Sequence, residues 1–161
     1  MTSFKFDRLA GAALIAITLV ASVPALAMDT GGGSDASTST TSTSMTAVPT
    51  LATGRADIDA QNWAKAITDL KAFLKANSKS ADGWNLLGFA YRNHGDLQLA
   101  DSAYDRALKL DPKHTGALSY QGILYIKLGK TDEAKANLAK IQTICGNTTC
   151  PEYVELAKAL G

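Results

Sequence analysis

The chain has 161 residues, of which 46% are hydrophobic and 19% are charged, and its formal net charge is +1. This near balance of charge, with no basic stripe, argues against a nucleic-acid-binding surface. Two cysteines and two histidines, which lie in different parts of the chain, do not supply the ligand set of a zinc site.

Residues 1–27 have the three parts of a secretory signal peptide. Lys5 and Arg8 give a positively charged start, residues 9–23 form an uncharged apolar run, and residues 24–27 read Pro-Ala-Leu-Ala before Met28. We therefore expect cleavage and export to the periplasm, or cell envelope, of a Gram-negative-type bacterium. An uncleaved membrane anchor is the alternative, because residues 9–27 are nearly as long as the roughly 20 apolar residues that span a bilayer.

Residues 28–46 read "MDTGGGSDASTSTTSTSMT" and contain almost no large apolar side chain. Such a segment cannot bury enough surface to offset the entropy of ordering it, so we expect a disordered Ser/Thr/Gly-rich linker. Random-coil scaling gives this tether a span of roughly 25 Å. Residues 47–161 remain, which is enough for one compact domain.

The central part of that domain, residues 81–114, predicts a pair of helices. Trp84, Leu87, Gly88 and Tyr91 lie at i, i+3, i+4 and i+7, which places them on one stripe of a helix. After a break at Gly95, a second stripe follows, made of Ala100, Tyr104 and Ala107. Pro112 then ends the second helix, because proline lacks an amide hydrogen and clashes with the preceding turn.

The same pattern recurs at a fixed interval. Gly122 lies 34 residues after Gly88, and Gly54 lies 34 residues before it. This periodicity predicts stacked units at about 47–80, 81–114 and 115–148. In the first unit, Thr53 and Asp57 stand where large apolar side chains are expected, so we expect its first helix to be short or frayed.

The glycine at this repeated position has a physical cost that needs a reason. Gly88 in a helix interior costs about 1 kcal/mol relative to alanine. We infer that Gly88 and Ala100 lie where the two helices of one hairpin cross, because small side chains let the backbones approach. Packing would then offset the propensity cost.

The unit resembles the tetratricopeptide repeat (TPR), whose pattern is W-x2-L-G-x2-Y, then A-x3-F/Y-x2-A, then P. The central unit matches this pattern at eight positions: Trp84, Leu87, Gly88, Tyr91, Ala100, Tyr104, Ala107 and Pro112. The resemblance implies an all-α fold, a TPR-type α-solenoid of about three helical hairpins plus a C-terminal capping helix. It also implies a non-catalytic protein-protein interaction module, an adaptor or scaffold.

In a TPR stack, the first helix of each unit lines a concave groove that binds an extended peptide or a partner helix. The resemblance assigns ten positions of this chain to that groove: Arg55, Asp82, Asn85, Phe89, Arg92, Asn93, Ser119, Ile123, Ile126 and Lys127. Packing against the first helix of the next unit is the alternative for Phe89 and Ile123. The family's carboxylate clamp is not expected, because its four positions hold Leu51, Arg55, Gly116 and Tyr120.

The C-terminal residues predict a capping helix over 151–160. Tyr153, Leu156 and Leu160 form one more apolar stripe, and Thr149 and Glu152 have capping-box spacing. Cys145 and Cys150 flank a short turn, and in an oxidising compartment they predict a structural disulfide. A redox-catalytic pair is the alternative, although the spacing is C-x4-C and not C-x2-C.

No residue pattern in the chain predicts an enzyme, a cofactor or a metal centre. His94 and His114 lie in turns, and we expect both side chains to face solvent. The expected partner is a protein or a peptide, with no nucleic acid and no membrane contact beyond an uncleaved signal anchor. The alternative functions are a self-assembling structural protein of the envelope and a thiol-redox protein, the latter resting on the cysteine pair alone.

Overall fold

The computed structural model describes residues 48–161, which form seven α-helices and no strand within that range. The helices are α1 (Leu51–Asp59), α2 (Trp63–Ala76), α3 (Ala81–His94), α4 (Leu97–Leu110), α5 (Thr115–Lys127), α6 (Thr131–Cys145) and α7 (Pro151–Leu160). The predicted signal peptide (1–27) and linker (28–46) lie outside the described residues. Between residues 48 and 161, every helix is too short or too polar to cross a bilayer.

Consecutive helices pack as antiparallel hairpins, α1 with α2, α3 with α4 and α5 with α6, and each hairpin packs on the next. Helix α7 follows the last hairpin and contacts both α5 and α6. The predicted all-α solenoid of three hairpins and a terminal helix is therefore confirmed.

Local signals set the helix boundaries of the central hairpin. Ser80 precedes α3, and its Oγ accepts a hydrogen bond from the Gly83 amide at 3.1 Å, which satisfies one free donor of the first turn. Gly95 ends α3 with a φ of 106°, a left-handed conformation that glycine adopts without steric cost. The chain then enters α4 two residues later, so the hairpin turn is tight.

Helix α1 is short, as expected from its polar first-helix positions. It spans nine residues, and Thr50 and Thr53 form a reciprocal capping box at its start. Helices α3 and α5 begin at the first residue of their units, Ala81 and Thr115, so α1 lacks about one turn relative to them.

The small-residue position is a close helix crossing. A methyl group added to Gly88 would lie 2.7 Å from Cδ1 and Cε1 of Tyr104, and both Ala100 and Tyr104 are fully buried. Gly54 faces Leu70 in the first hairpin in the same way. The inferred reason for the glycine in α3 is confirmed.

The third hairpin departs from this arrangement. A methyl group on Gly122 would lie 2.6 Å from Cδ2 of Leu156, which belongs to α7 and not to α6. Leu156 is fully buried and packs in one cluster with Leu118 and Ile141. The capping helix therefore fills the notch that the second helix fills in the other two hairpins.

A buried polar network joins α4, α5 and α6. The Gln121 side chain amide donates to Oδ1 of Asp101 at 3.0 Å and to Oδ1 of Asp105 at 2.8 Å. Asn137 of α6 donates to the Leu118 carbonyl at 3.2 Å and to Oε1 of Gln121 at 3.3 Å. Since buried amides are costly unless paired, these bonds fix how the second and third hairpins meet.

The turn before α7 contains the predicted disulfide, between Cys145 and Cys150. The predicted capping box of Thr149 and Glu152 is wrong, because Cys150 precedes the helix and supplies no side-chain cap. Oδ1 of Asn147 instead accepts hydrogen bonds from the amides of Thr149 and Cys150, at 2.9 and 3.1 Å. A local asparagine turn thus replaces the capping box.

Candidate functional site

The first helices of the hairpins, α1, α3 and α5, carry the predicted groove residues, and we call the face on which these lie the groove. The predicted residues that are exposed there are Arg55, Asp82, Asn93 and Lys127, and the half-buried ones are Phe89, Ile123 and Ile126. Asn85, Arg92 and Ser119 are buried. The groove therefore has a mixed surface, with charged and amide groups around a partly covered apolar centre.

The centre of the groove is a cluster of three aromatic rings and one guanidinium group, which we call the aromatic cluster. The rings of Phe89 and Tyr120 lie 4.9 Å apart between centroids, tilted by 57°, and those of Trp63 and Phe89 lie 6.2 Å apart, tilted by 58°. Tilted aromatic pairs at such distances are favourable beyond the area they bury. The cluster joins the start of α2 to α3 and α5, so it spans all three hairpins.

Arg92 completes the aromatic cluster. Its Cζ lies 5.0 Å from the Phe89 ring centroid and 5.5 Å from that of Tyr120, and Nη1 donates to the Tyr120 carbonyl at 3.3 Å. A guanidinium over two rings is held by cation–π attraction of about 0.5–2 kcal/mol per ring. The side chain was predicted as a groove contact, and the structure places it as a buried support of the two rings.

Two buried polar atoms under the groove have no hydrogen-bond partner among the described residues, Oδ1 of Asn85 and Nε of Arg92. Asn85 is 7% exposed and Arg92 is 8% exposed. A buried polar group without a partner costs free energy. Both atoms are covered by surrounding side chains, so they contribute to the structure beneath the groove and not to its accessible surface.

The capping helix covers the third-hairpin end of the groove. Oγ of Ser119 donates to Oε2 of Glu155 at 3.3 Å, and Ser119 is fully buried. Ile123 and Ile126 pack in the same apolar cluster as Leu156 of α7. Ile123 thus packs beside α7, the helix that follows its own hairpin, and Ser119 is also in contact with α7.

Opposite charges lie at the two ends of the groove. Burial raises the pKa of the Tyr120 hydroxyl above its ordinary value, the carboxylate of Glu155 raises it further, and Arg92 and Arg55 lower it. Glu152 of α7 also raises the pKa of this group. The Tyr120 hydroxyl therefore lies in the electrostatic field of basic side chains from α1 and α3 and of acidic side chains from α7.

His114 does not face solvent, and that prediction is wrong. Its side chain is 14% exposed; Nδ1 accepts from the Ala117 amide at 3.3 Å, and Nε2 lies 3.1 Å from Oδ1 of Asp82. Asp82 was predicted as a groove residue, and here it ties α3 to the start of α5. His94 is 46% exposed in its side chain and contacts Asp96.

The two cysteines cannot serve as metal ligands or nucleophiles while they are bonded to each other. Cys145, Cys150 and Glu152 are the one group of three potential ligand side chains that lie close together in residues 48–161. Because both sulfur atoms belong to the disulfide, no thiolate is available there.

Sequence models of known families match most of the described region. Two models described as "Tetratricopeptide repeat" match residues 51–115 and 103–136, and together they cover more than half of the chain. The chain belongs to the tetratricopeptide repeat family. Members of this family are generally non-catalytic and bind protein partners, which supports an adaptor or scaffold role.

Individual TPR proteins resemble this one over much of its length. Superkiller protein 3 of Schizosaccharomyces pombe is 29% identical over 111 residues, which are 65% of this chain and 8% of that protein. The chain thus spans less than a tenth of the length of the curated relatives it matches.

Two solved structures share the TPR fold. The Arabidopsis OM64 TPR domain aligns with a TM-score of 0.61 and 20% identity, over 66% of this chain and 87% of that one. The Yersinia enterocolitica type III secretion translocator chaperone SycD aligns with a TM-score of 0.60 and 17% identity, over 68% and 82%. At these identities the likeness concerns the fold alone.

Sequence reasoning did not assign Trp63 and Tyr120 to the groove. Trp63 follows the first break in the repeat pattern and carried no assignment, and Tyr120 was considered only as a departure from the carboxylate clamp. The available signal was the presence of one aromatic residue in each of the three units, at the start of α2 and within α3 and α5. Whether these three rings come into contact depends on the angle at which the units stack, and this angle cannot be deduced from residue spacing within a unit.

Proposed function

We propose that this TPR protein binds an extended peptide or a helix of a partner protein in its groove, as a non-catalytic adaptor or scaffold. The observation that carries the proposal is the aromatic cluster, which places Trp63, Phe89 and Tyr120 together with Arg92 on the groove. Aromatic and arginine side chains are enriched at the centres of protein interfaces.

The charges around the cluster indicate how a partner would be oriented. Arg55 is exposed on α1, whereas Glu152 and Glu155 lie on α7. We expect an apolar or aromatic anchor at the cluster, an acidic residue near Arg55 and a basic residue near the two glutamates. Such complementary charges set orientation and association rate more than total affinity.

The proposed compartment is the periplasm or cell envelope. The charged start, apolar run and small residues of segment 1–27 support export, and the Cys145–Cys150 disulfide supports an oxidising environment. Fractionation of expressing cells, with mass determination of the mature N-terminus, tests this proposal. An intact N-terminus in the soluble cytosolic fraction, with free thiols, would contradict it.

The groove is tested with peptides selected by display against the full-length mature protein. In a Trp84→Phe background, Trp63 is the one tryptophan of the chain, so its emission reports on the aromatic cluster. We expect selected peptides to shift this emission and Phe89→Ala to weaken their binding by about tenfold or more, as for a hot-spot aromatic side chain.

Val154→Ala is the matched control, because Val154 is 50% exposed and lies on α7. Circular dichroism must show that both variants keep their helices. The proposal fails if Phe89→Ala stays folded and binds the selected peptides as well as the wild type. Light scattering on the free protein tests the alternative of self-assembly, which a concentration-dependent oligomer would support.

A further inference from the structure

A second apolar depression lies between α2 and α4, over α3, and we call it the outer slot. It has a volume of about 380 Å³. The residues that matter for its chemistry are Lys71, Leu74, Lys75, Trp84, Tyr91 and Leu99. On α3, Trp84 and Tyr91 lie about 140–160° around the helix axis from Phe89, so the outer slot and the aromatic cluster are on different sides of that helix.

Leu99 is an exposed apolar side chain at the mouth of the outer slot. It is 51% exposed, although Ala100 and Ala103 on the same helix are buried. Its side chain therefore adds apolar surface at the mouth of a depression that Leu74 and Trp84 already line. A leucine beside an apolar slot indicates a contact surface more than a single exposed leucine does.

The rim of the outer slot is basic. Lys71 and Lys75 are exposed, one helical turn apart on α2, and neither forms a salt bridge within residues 48–161. Asp69, the acidic residue nearest to them on α2, is paired with Lys65. Like charges at i and i+4 repel, which costs helix stability unless an anionic group lies between or above them.

The opposite side of the outer slot continues this charge pattern. Arg106 is exposed on α4, one turn beyond Ser102, which lines the slot. Asp101 and Asp105 of the same helix point elsewhere, because both accept hydrogen bonds from Gln121 of α5. The apolar strip thus has Lys71 and Lys75 on its α2 side and Arg106 just beyond Ser102 on its α4 side. One acidic group, Asp96, lies near the Tyr91 end, where burial and this carboxylate raise the pKa of the Tyr91 hydroxyl.

We propose that the outer slot is a second protein-binding surface, which takes an amphipathic helix whose apolar stripe is flanked by acidic residues. The slot is open to solvent along Leu99, so it cannot enclose a small ligand as typical ligand pockets do. It can accept one face of a helix, with leucine-type anchors against Leu74, Trp84 and Leu99. Because this surface lies behind the groove, one molecule can hold two partners at once.

Two synthetic 18-residue helices serve as the probes. Both carry the same leucine stripe; one has glutamates along its flanks and the other has lysines. In the full-length mature protein with Trp63→Phe, Trp84 is the one tryptophan and reports on the outer slot. We expect a saturable change in its emission with the acidic helix, and binding of the basic helix weaker by about tenfold or more.

Charge reversal tests the rim. Lys71→Glu with Lys75→Glu should weaken binding of the acidic helix by about tenfold and strengthen binding of the basic helix. The matched control is Lys135→Glu with Lys158→Glu, which changes the net charge equally at two exposed lysines of α6 and α7. We expect the control to bind like the wild type.

Truncation of the apolar side tests the slot itself. Leu99→Ser should weaken the acidic helix, whereas Val154→Ser, at a residue of similar exposure on α7, and Phe89→Ala in the groove should not. The effect of Leu99→Ser does not depend on whether the groove binds a peptide, so the two proposals can be tested separately.

Five outcomes would overturn the proposal: no saturable change in Trp84 emission, equal binding of the two helices, an equal effect of the control substitutions, dimers that Leu99→Ser dissociates, or displacement of the acidic helix by lipid vesicles. Dimers of this kind would make the outer slot a self-interface. Vesicles of anionic phospholipid complete the experiment, since displacement of the acidic helix by vesicles would assign the slot to a membrane surface.

Discussion

Adding a single methyl group at Gly88 tests why this helix contains a glycine. In Gly88→Ala, the new carbon would lie 2.7 Å from Cδ1 and Cε1 and 3.0 Å from Cζ of Tyr104. Carbon atoms prefer separations of about 3.5–4.0 Å, and the aromatic ring is rigid and fully buried. The two helices must therefore separate, or the tyrosine must leave its rotamer.

The expected cost follows from two opposing effects. Overpacking of a filled core costs about 1–3 kcal/mol. Alanine regains about 1 kcal/mol of helix propensity relative to glycine. Because the contacts of Gly88 are with a rigid ring and not with the end of a flexible side chain, we expect an overpacking cost in the upper half of that range, and hence a net loss of about 1–2 kcal/mol in the free energy of unfolding.

Urea denaturation followed by circular dichroism measures this change, with Gly116→Ala as the matched control. A methyl group on Gly116 would lie 3.3 Å from Cε1 of His114 at its nearest, and its other close neighbour is Nδ2 of Asn85 at 3.5 Å. We expect the control to be neutral or to stabilise by up to about 1 kcal/mol. The reasoning is refuted if Gly88→Ala stabilises the protein as much as the control does.

Three further predictions concern other buried groups. Tyr104→Phe should leave stability unchanged or raise it in thermal denaturation, because the Tyr104 hydroxyl is buried without a partner among the described residues; a loss above about 1 kcal/mol would reveal a bond to ordered water. Replacing Cys145 and Cys150 by serine should cost about 2 kcal/mol of stability in the loop-entropy model and increase hydrogen exchange in α7, with peptide binding at the groove retained; unchanged exchange would mean that the bond does not fasten the helix. Burial and the carboxylates of Asp101 and Asp105 raise the pKa of Tyr125 to about 12; its contribution to stability should be complete below about pH 10 and decline between pH 10 and 12, because only the unfolded chain ionises readily there. Tyr125→Phe should reduce that alkaline decline in urea titrations, and an identical decline in both proteins would contradict the assignment.

The 34-residue period of the sequence predicted most of the fold, because the same helix–helix contact recurs in successive units. In this contact, a glycine of the first helix packs against a large side chain of the second. Gly54 packs against Leu70 and Gly88 packs against Tyr104, and each contact lies within one hairpin. Gly122 differs, because its partner Leu156 belongs to α7 and not to the second helix of the same hairpin. That contact depends on the path of the chain after α6, which the repeat pattern does not describe.

The groove was less predictable than the fold, since its residues contact partners that are distant in sequence. His114 was expected in solvent from its turn, yet it bonds Asp82, which lies 32 residues earlier. Arg92 was expected to face a ligand, and it instead stacks on Phe89 and on Tyr120 of the next hairpin. Both differences have one cause: a position within a unit specifies a helix face, but the neighbouring unit decides how much of that face stays open.

The seating of Leu156 over Gly122 has a consequence for anyone wishing to lengthen this solenoid. The place against which a fourth hairpin would dock is already occupied, and a disulfide locks the occupant in position. Repeats appended after the terminal helix would therefore form a separate domain and would not extend the existing superhelix. Growth of the spiral requires splicing new units between existing hairpins, for example in the loop between Leu110 and Thr115.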